Sequence, residues 1–229
     1  METTTYYLTK NECFIEAKPM TPIGIVVHST GANNPNLKRY IQPDDGRLGK
    51  GGSNHWNKAG VYKCAHAMIG KDKDGKVCTY LTLPTNICAW GVGEGKKGSY
   101  NYPPTACLQF EVCEDGLDDK EYFESAIKEA KELCASWCKE FSLPPSSIRS
   151  HKEAHAEGYA SNHADIDHWL KKYGQTMDDF RADVETLLAE NVETDVLDGP
   201  SDVSDSQSES VKDALVSLAE AIKRLAETL

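Results

Sequence analysis

The stretch IGIVVHSTG, residues 23–31, decides the fold. Gly24–His28 reads as a short strand buried on both faces, because apolar or glycine positions follow one another without alternation and stop at a polar turn. A histidine at the carboxyl end of such a strand, followed by Ser29-Thr30-Gly31, is placed to point into a cleft. Taken alone, His28 is more often a satisfied core or surface histidine. Its meaning depends on what other segments bring to that strand end.

Working outward, Ala65–Lys71 and Lys76–Leu83 read as two strands joined by the turn Lys73-Asp74-Gly75. Cys107–Cys113 alternates Leu108, Phe110 and Val112 against Gln109 and Glu111, which puts Glu111 opposite the apolar face. On alternation alone Glu111 is a surface carboxylate on an edge strand. Asp119–Phe141 predicts the clearest helix, with Phe123, Ile127, Ala130, Cys134, Trp137, Cys138 and Phe141 on one stripe. Asp165–Tyr173 and Met177–Glu190 predict two closing helices. Together these predict an α/β fold, a central mixed sheet flanked by helices.

The sequence changes character near Asn191. All seven histidines, eight cysteines and four tryptophans precede it, and no aromatic residue follows it. Residues 192–210 are acidic, Ser-rich and poor in large apolar groups, a linker composition. Residues 211–229 place Val211, Leu215, Leu218, Ile222, Leu225 and Leu229 at alternating spacings of four and three, the pattern of a short coiled coil. This helix can dock on a second copy or pack back on its own domain; a homo-oligomer through residues 211–229 is the expectation favoured here. The expected division is a main α/β domain at 1–191, a linker at 192–210 and an amphipathic helix at 211–229.

The net charge is −11, and residues 192–229, with nine acids and three bases, hold −6 of it. Such a balance disfavours nucleic acid, which needs a basic face, and gives no polybasic attraction to anionic lipid. The longest aliphatic run, Ile23–Val27, is far short of a membrane span, so no membrane anchor is expected. The N-terminal residues lack a basic start followed by an apolar stretch, so no secretory signal is expected and synthesis in a reducing cytosol fits. No Cys-x-x-Cys pair occurs, and the cysteines read as small, buried, reduced residues.

Four of the seven histidines fall within eighteen residues: His151, His155, His163 and His168, beside Asp165 and Asp167. A catalytic zinc site needs three protein ligands from His and Asp/Glu, with one position left open. His28 and this cluster supply the right donor types. The His151/His155 spacing is that of a zincin helix, but there is no His-Glu-x-x-His order. Gly158, Ser161 and Asn162 also make the segment read as a loop, so the zincin reading is rejected.

VVHSTGANNP (26–35), NHWN (54–57), HAMIGKDKDGKV (66–77), LQFEVCEDG (108–116) and SHKEAHAEGYASNHADIDHW (150–169) together resemble the zinc-dependent N-acetylmuramoyl-L-alanine amidases of the type 2 family. That family shares its fold with the peptidoglycan recognition proteins. The resemblance runs over about residues 8–188 and is strongest to phage or prophage endolysins of Gram-positive, clostridial-type hosts. It implies zinc held by His28, His151 and Asp165, with Glu111 as catalytic base and His163 as a stabiliser of the developing oxyanion. The substrate it implies is peptidoglycan, cut at the amide between N-acetylmuramic acid and L-alanine. The family's Trp-His reads Trp90-Gly91 here, and its Asp-Pro or Cys-Pro reads Asp165-Ile166, which leaves His155 or His163 as alternative third ligands.

Asn54, His55, Trp56 and Trp90 are candidate substrate contacts, since amide and aromatic groups suit peptide backbones and sugar faces; a buried Trp56 beside a helix cap is the competing reading. His66 reads as core. Lys96 and Lys97, in the Gly-rich stretch 90–102, read as a solvated rim. Two other functions fit parts of the pattern: a muramidase-type glycosidase using Glu111 and Glu114, and a muropeptide-binding module without catalysis. The first leaves the histidines unexplained, and the second requires a lost zinc ligand.

Overall fold

The computed structural model describes residues 3–42 and 46–197. The chain divides into a unit ending at Leu188 and a remainder beginning at Ala189. In chain order the elements are β1 (Thr3–Thr5), α1 (Glu12–Glu16), β2 (Ile25–Ser29), β3 (Ala67–Lys71), β4 (Val77–Leu81), β5 (Leu108–Val112), α2 (Lys120–Phe141), β6 (Ile148–Ser150), α3 (His151–Glu157), α4 (Asp167–Lys172) and α5 (Met177–Leu197). The strands form one sheet in the order β1-β4-β3-β5-β2-β6. Only the β3/β4 hairpin is antiparallel; β1/β4, β3/β5, β5/β2 and β2/β6 are parallel. This is the expected mixed sheet with flanking helices.

Every residue of β2 is buried, as its unbroken apolar run requires. Ile25 and Val27 point to one face, where they meet Leu108, Phe110 and Val112 of β5 and the stripe of α2. Phe123 and Ile127, essentially fully buried there, each contribute about 1.5–3 kcal/mol of transfer free energy. Asp119 caps α2 by accepting from the Tyr122 N–H at 2.9 Å, and Ser142 ends it in the left-handed region. All eight cysteines are buried.

The opposite face carries Val26, His28, Gln109 and Glu111 near the carboxyl ends of the parallel strands, where open α/β sheets hold their ligands. β5 is an interior strand, so Glu111 is not the edge-strand carboxylate that alternation alone suggests. His28 pairs in register with Glu111, and Val27 pairs with Ser150, so His151 follows at the level of His28 on the other side.

Five elements differ from expectation. Residues 151–157, read as loop, are the helix α3. Ser150 and Glu153 form a reciprocal capping box, and the breakers lie at or beyond its end, with Gly158 at φ 96° as its C-cap. α5 runs on to Leu197, into the stretch expected as linker. β1, α1 and β6 are too short, at three to five residues, to show periodicity. The rest of the expected linker and the 211–229 helix lie outside the described residues. No helix among the described residues is long and apolar enough to cross a membrane.

Arg181 of α5 locks α3 in place. Its guanidinium grips both oxygens of Glu153, at 2.9 and 3.0 Å, and donates to the Ile148 carbonyl at 3.0 Å. Glu153 thus serves the capping box beneath His151 and the link to α5 at once. Arg181→Lys keeps the charge but loses the fork, and should cost about 1–3 kcal/mol in a urea unfolding titration. An unchanged midpoint would show that the link is not a stability element.

Candidate metal centre and active site

Register alone brings His151, His28 and Glu111 side by side at the ends of β6, β2 and β5. The loop between α3 and α4 adds Asp165. Three donor atoms converge. His28 Nδ1 lies 3.1 Å from His151 Nδ1 and 3.2 Å from Asp165 Oδ2, and His151 Nδ1 lies 3.5 Å from the same oxygen. A tetrahedral zinc ion with bonds of about 2.0–2.1 Å keeps its ligand atoms roughly 3.3–3.4 Å apart. The three separations bracket that value. His28, His151 and Asp165 are also the His/Cys/acid cluster able to hold a metal among the described residues.

The tautomer of His28 follows from a chain of hydrogen bonds. Gly91 and Val92 N–H groups donate to Asn101 Oδ1, both at 3.2 Å, and Asn101 Nδ2 donates to the Val92 carbonyl at 2.6 Å. Asn101 is therefore oriented, and its Oδ1 takes the Gln109 Nε2 donor at 3.0 Å. That leaves Gln109 Oε1 facing His28 Nε2 at 3.3 Å, so the proton sits on Nε2. The bare lone pair of Nδ1 is turned toward His151 and Asp165. This is the outer support that metal-ligating histidines characteristically have. On the other ligand, His151 Nε2 faces Ser161 Oγ at 3.5 Å.

Gly91 matters to this chain. A Cβ there would stand 2.3 Å from Gln109 Oε1 and 3.5 Å from His28 Nε2, so only glycine lets this strip lie against the site.

Burial pushes the Asp165 carboxyl up, but the adjoining His151 and His28 imidazoles outweigh it and hold it well below the usual carboxylate range. Glu111 behaves oppositely. Burial raises it well above 4.5, and the negative charges of Asp165 and Glu114 raise it further, against a smaller pull from Lys63. Its Oε2 is buried with no hydrogen-bond partner. A raised, orphaned carboxylate beside a cluster of metal donors has the properties of a general base.

The remaining expected residues fall into place as follows. His163 is largely exposed, stacks on the His151 ring at 4.6 Å, and holds Nδ1 3.7 Å from Asp165 Oδ1, at the mouth of the cluster. His155 turns to the Ala160 carbonyl at 3.0 Å, outside the donor cluster. Trp90 is 41% exposed, next to Gly91 at the rim. Trp56 follows the competing reading: it is buried, edge-on to Tyr40 at 5.7 Å and under the Lys63 ammonium. Asn54 is exposed and His55 half-buried beside it, with burial holding His55 down, and neither belongs to the donor cluster. His66 is core, donating from Nε2 to Ile87 and accepting from Gln109 N–H, and burial takes it down to about 4. The orienting residues Gln109, Asn101 and Ser161 were not expected; Gln109 alone carried a signal, two positions before Glu111 on the same face.

The strand ends thus carry a His-His-Asp group able to hold a metal, beside a buried carboxyl. Residues 18–167 match the family described as N-acetylmuramoyl-L-alanine amidase. The chain belongs to that family, and it is an amidase of this class. Among solved structures it is similar to the Staphylococcus aureus hydrolase AmiA in complex with its ligand, at 16% identity and TM-score 0.58, covering 84% of this chain and 86% of that one. PlyL is similar at 17% identity and TM-score 0.54, over 80% and 97% of the two chains. A mutant endolysin from Bacillus subtilis is similar at 21% and 0.51, over 80% and 98%. These identities speak for a shared fold. No curated protein matches.

In metal-free protein Glu111 keeps its proton to higher pH when folded than when unfolded. Its contribution is therefore neutral below about 4.5 and increasingly destabilising as pH rises through the folded value. Glu111→Gln should raise the melting temperature of chelator-treated protein by on the order of 2–4 °C at pH 8, and by little at pH 4.5. A pH-independent difference would contradict the raised carboxyl.

Proposed function

We propose that this amidase is a zinc enzyme that hydrolyses the bond between N-acetylmuramic acid and L-alanine of peptidoglycan. The observation that carries the reading is the convergence of His28 Nδ1, His151 Nδ1 and Asp165 Oδ2 at tetrahedral edge distances, one strand away from Glu111. Two imidazoles and a carboxylate, with an open side toward His163, are the donor set of a catalytic rather than a structural zinc site. Zinc, when bound there, supplies Lewis acidity and lowers the pKa of a water molecule.

The protein's own groups do the rest. Gln109 holds His28 with its lone pair on the metal side. Glu111 takes the proton from the attacking water and returns it to the leaving amine of L-alanine. His163 directs an N–H at the carbonyl oxygen as negative charge develops there. Trp90, exposed at the rim, offers a face to the sugar or the stem peptide. In this reading the chain is an endolysin of phage or prophage origin, retained in the cytosol until it reaches the wall, and residues 211–229 assemble it into a homo-oligomer.

The test is digestion of purified cell walls, scoring new amino groups against new reducing ends. Amine release that stops with a chelator and returns with zinc is expected, with Glu111→Gln lowering the rate about 10²–10⁴-fold at unchanged zinc content. Reducing ends would overturn the reading in favour of a glycosidase, and neither product would leave a binding module.

A further inference from the structure

A second polar cluster lies behind the donor site and takes no part in the chemistry just described. Glu114 is buried, with 5% of its surface exposed. Its Oε1 accepts from Ser29 Oγ at 2.5 Å and stands 3.1 Å from His168 Nε2. Its own N–H donates to Thr30 Oγ1 at 3.1 Å. The other nitrogen of the His168 ring, Nδ1, meets the Ala164 carbonyl at 3.2 Å. The order is Ser–Glu–His, with the carboxylate in the middle. It is therefore not a nucleophile triad, because no base touches the serine except a carboxylate that is already shared.

The placement along the chain is what gives the cluster meaning. Ser29 follows His28, Glu114 lies three residues after Glu111, and His168 lies three after Asp165. Ala164, held by the same imidazole, immediately precedes Asp165. Side chains alternate along β2, so Ser29 points to the face opposite His28. The cluster thus grips, from behind, the three segments whose front faces carry His28, Glu111 and Asp165. Asp165 is the one donor that comes from a loop rather than from the end of a strand, so strand register does not fix it.

We infer that Glu114 is a positioning residue. Through His168 it fixes the 164–168 segment to the ends of β2 and β5, and so holds Asp165 at metal-binding distance from His28 and His151. The inference rests on the zinc reading above. Outer groups that orient metal ligands characteristically change metal affinity by 10–100-fold.

The experiment is zinc affinity of the full chain, measured by competition with a chromophoric chelator, alongside urea midpoints. Glu114→Ala should weaken zinc binding about 10–100-fold. Glu114→Gln, whose Oε1 still accepts from Ser29 and faces His168 Nε2, should recover most of that loss. His168→Ala removes a side chain that is 33% exposed, so it tests the same link without emptying a buried position, and should weaken zinc equally. The double variant should be no worse than either single one. With cobalt in place of zinc, the visible absorption of Glu114→Ala should shift, since the third ligand is displaced; loss of stability alone would not move it. Unaltered zinc affinity in Glu114→Ala and His168→Ala, with the unaltered chain binding zinc, overturns the clamp and leaves the metal reading standing. No zinc uptake by the unaltered chain overturns both.

Discussion

The site depends on the parallel register of three strand ends. Val27 of β2 sits opposite Ser150 of β6, and His28 sits opposite Glu111 of β5. A slip of one residue in either pairing would turn a side chain to the other face of the sheet. The register is specified by burial, because Ile25, Val27, Leu108, Phe110 and Val112 must all reach the α2 side. The hydrophobic core and the donor geometry are therefore one constraint, read from opposite faces of the same strands.

Given that register, the site is a place of opposed electrostatics. Two imidazole nitrogens and a carboxylate oxygen face one another within 3.5 Å, and a raised carboxyl with an unpartnered oxygen lies beside them. Such an arrangement is costly for a protein alone and favourable around a cation. The hydrogen-bond chain from Asn101 through Gln109 prevents His28 from relieving the conflict by flipping its ring. Strain of this kind is concentrated where function needs it, and the packed α2 face supplies the stability that offsets it.

Much of this was legible in the residues. The run ending at His28, the alternation through Glu111 and the stripe on α2 each follow from one local rule, and the structure has all three. The donor cluster was legible only through resemblance, because nothing local says that His151 rather than His155 meets His28. The difference is the pairing of a three-residue strand, β6, too short to leave a pattern. Gly158, Ser161 and Asn162 have loop composition, whereas the capping box of Ser150 and Glu153 starts a helix, α3, that ends only at Gly158. Trp56 could be read either way, since an aromatic beside glycines looks the same whether it turns in or out. The Asn101–Gln109–His28 chain had no sequence signal at Asn101, because it depends on a backbone approach that only Gly91 permits.

The central claim is that two imidazole nitrogens and one carboxylate oxygen hold a single zinc ion. X-ray absorption at the zinc edge of the zinc-loaded full chain tests it most directly. The account predicts one zinc per chain, with two imidazoles at about 2.0–2.1 Å and carboxylate or water oxygens at about 2.0–2.2 Å. It also predicts that one imidazole contribution disappears in His28→Ala. A sulfur neighbour at about 2.3 Å, a third imidazole, or an unchanged spectrum in that variant would contradict it.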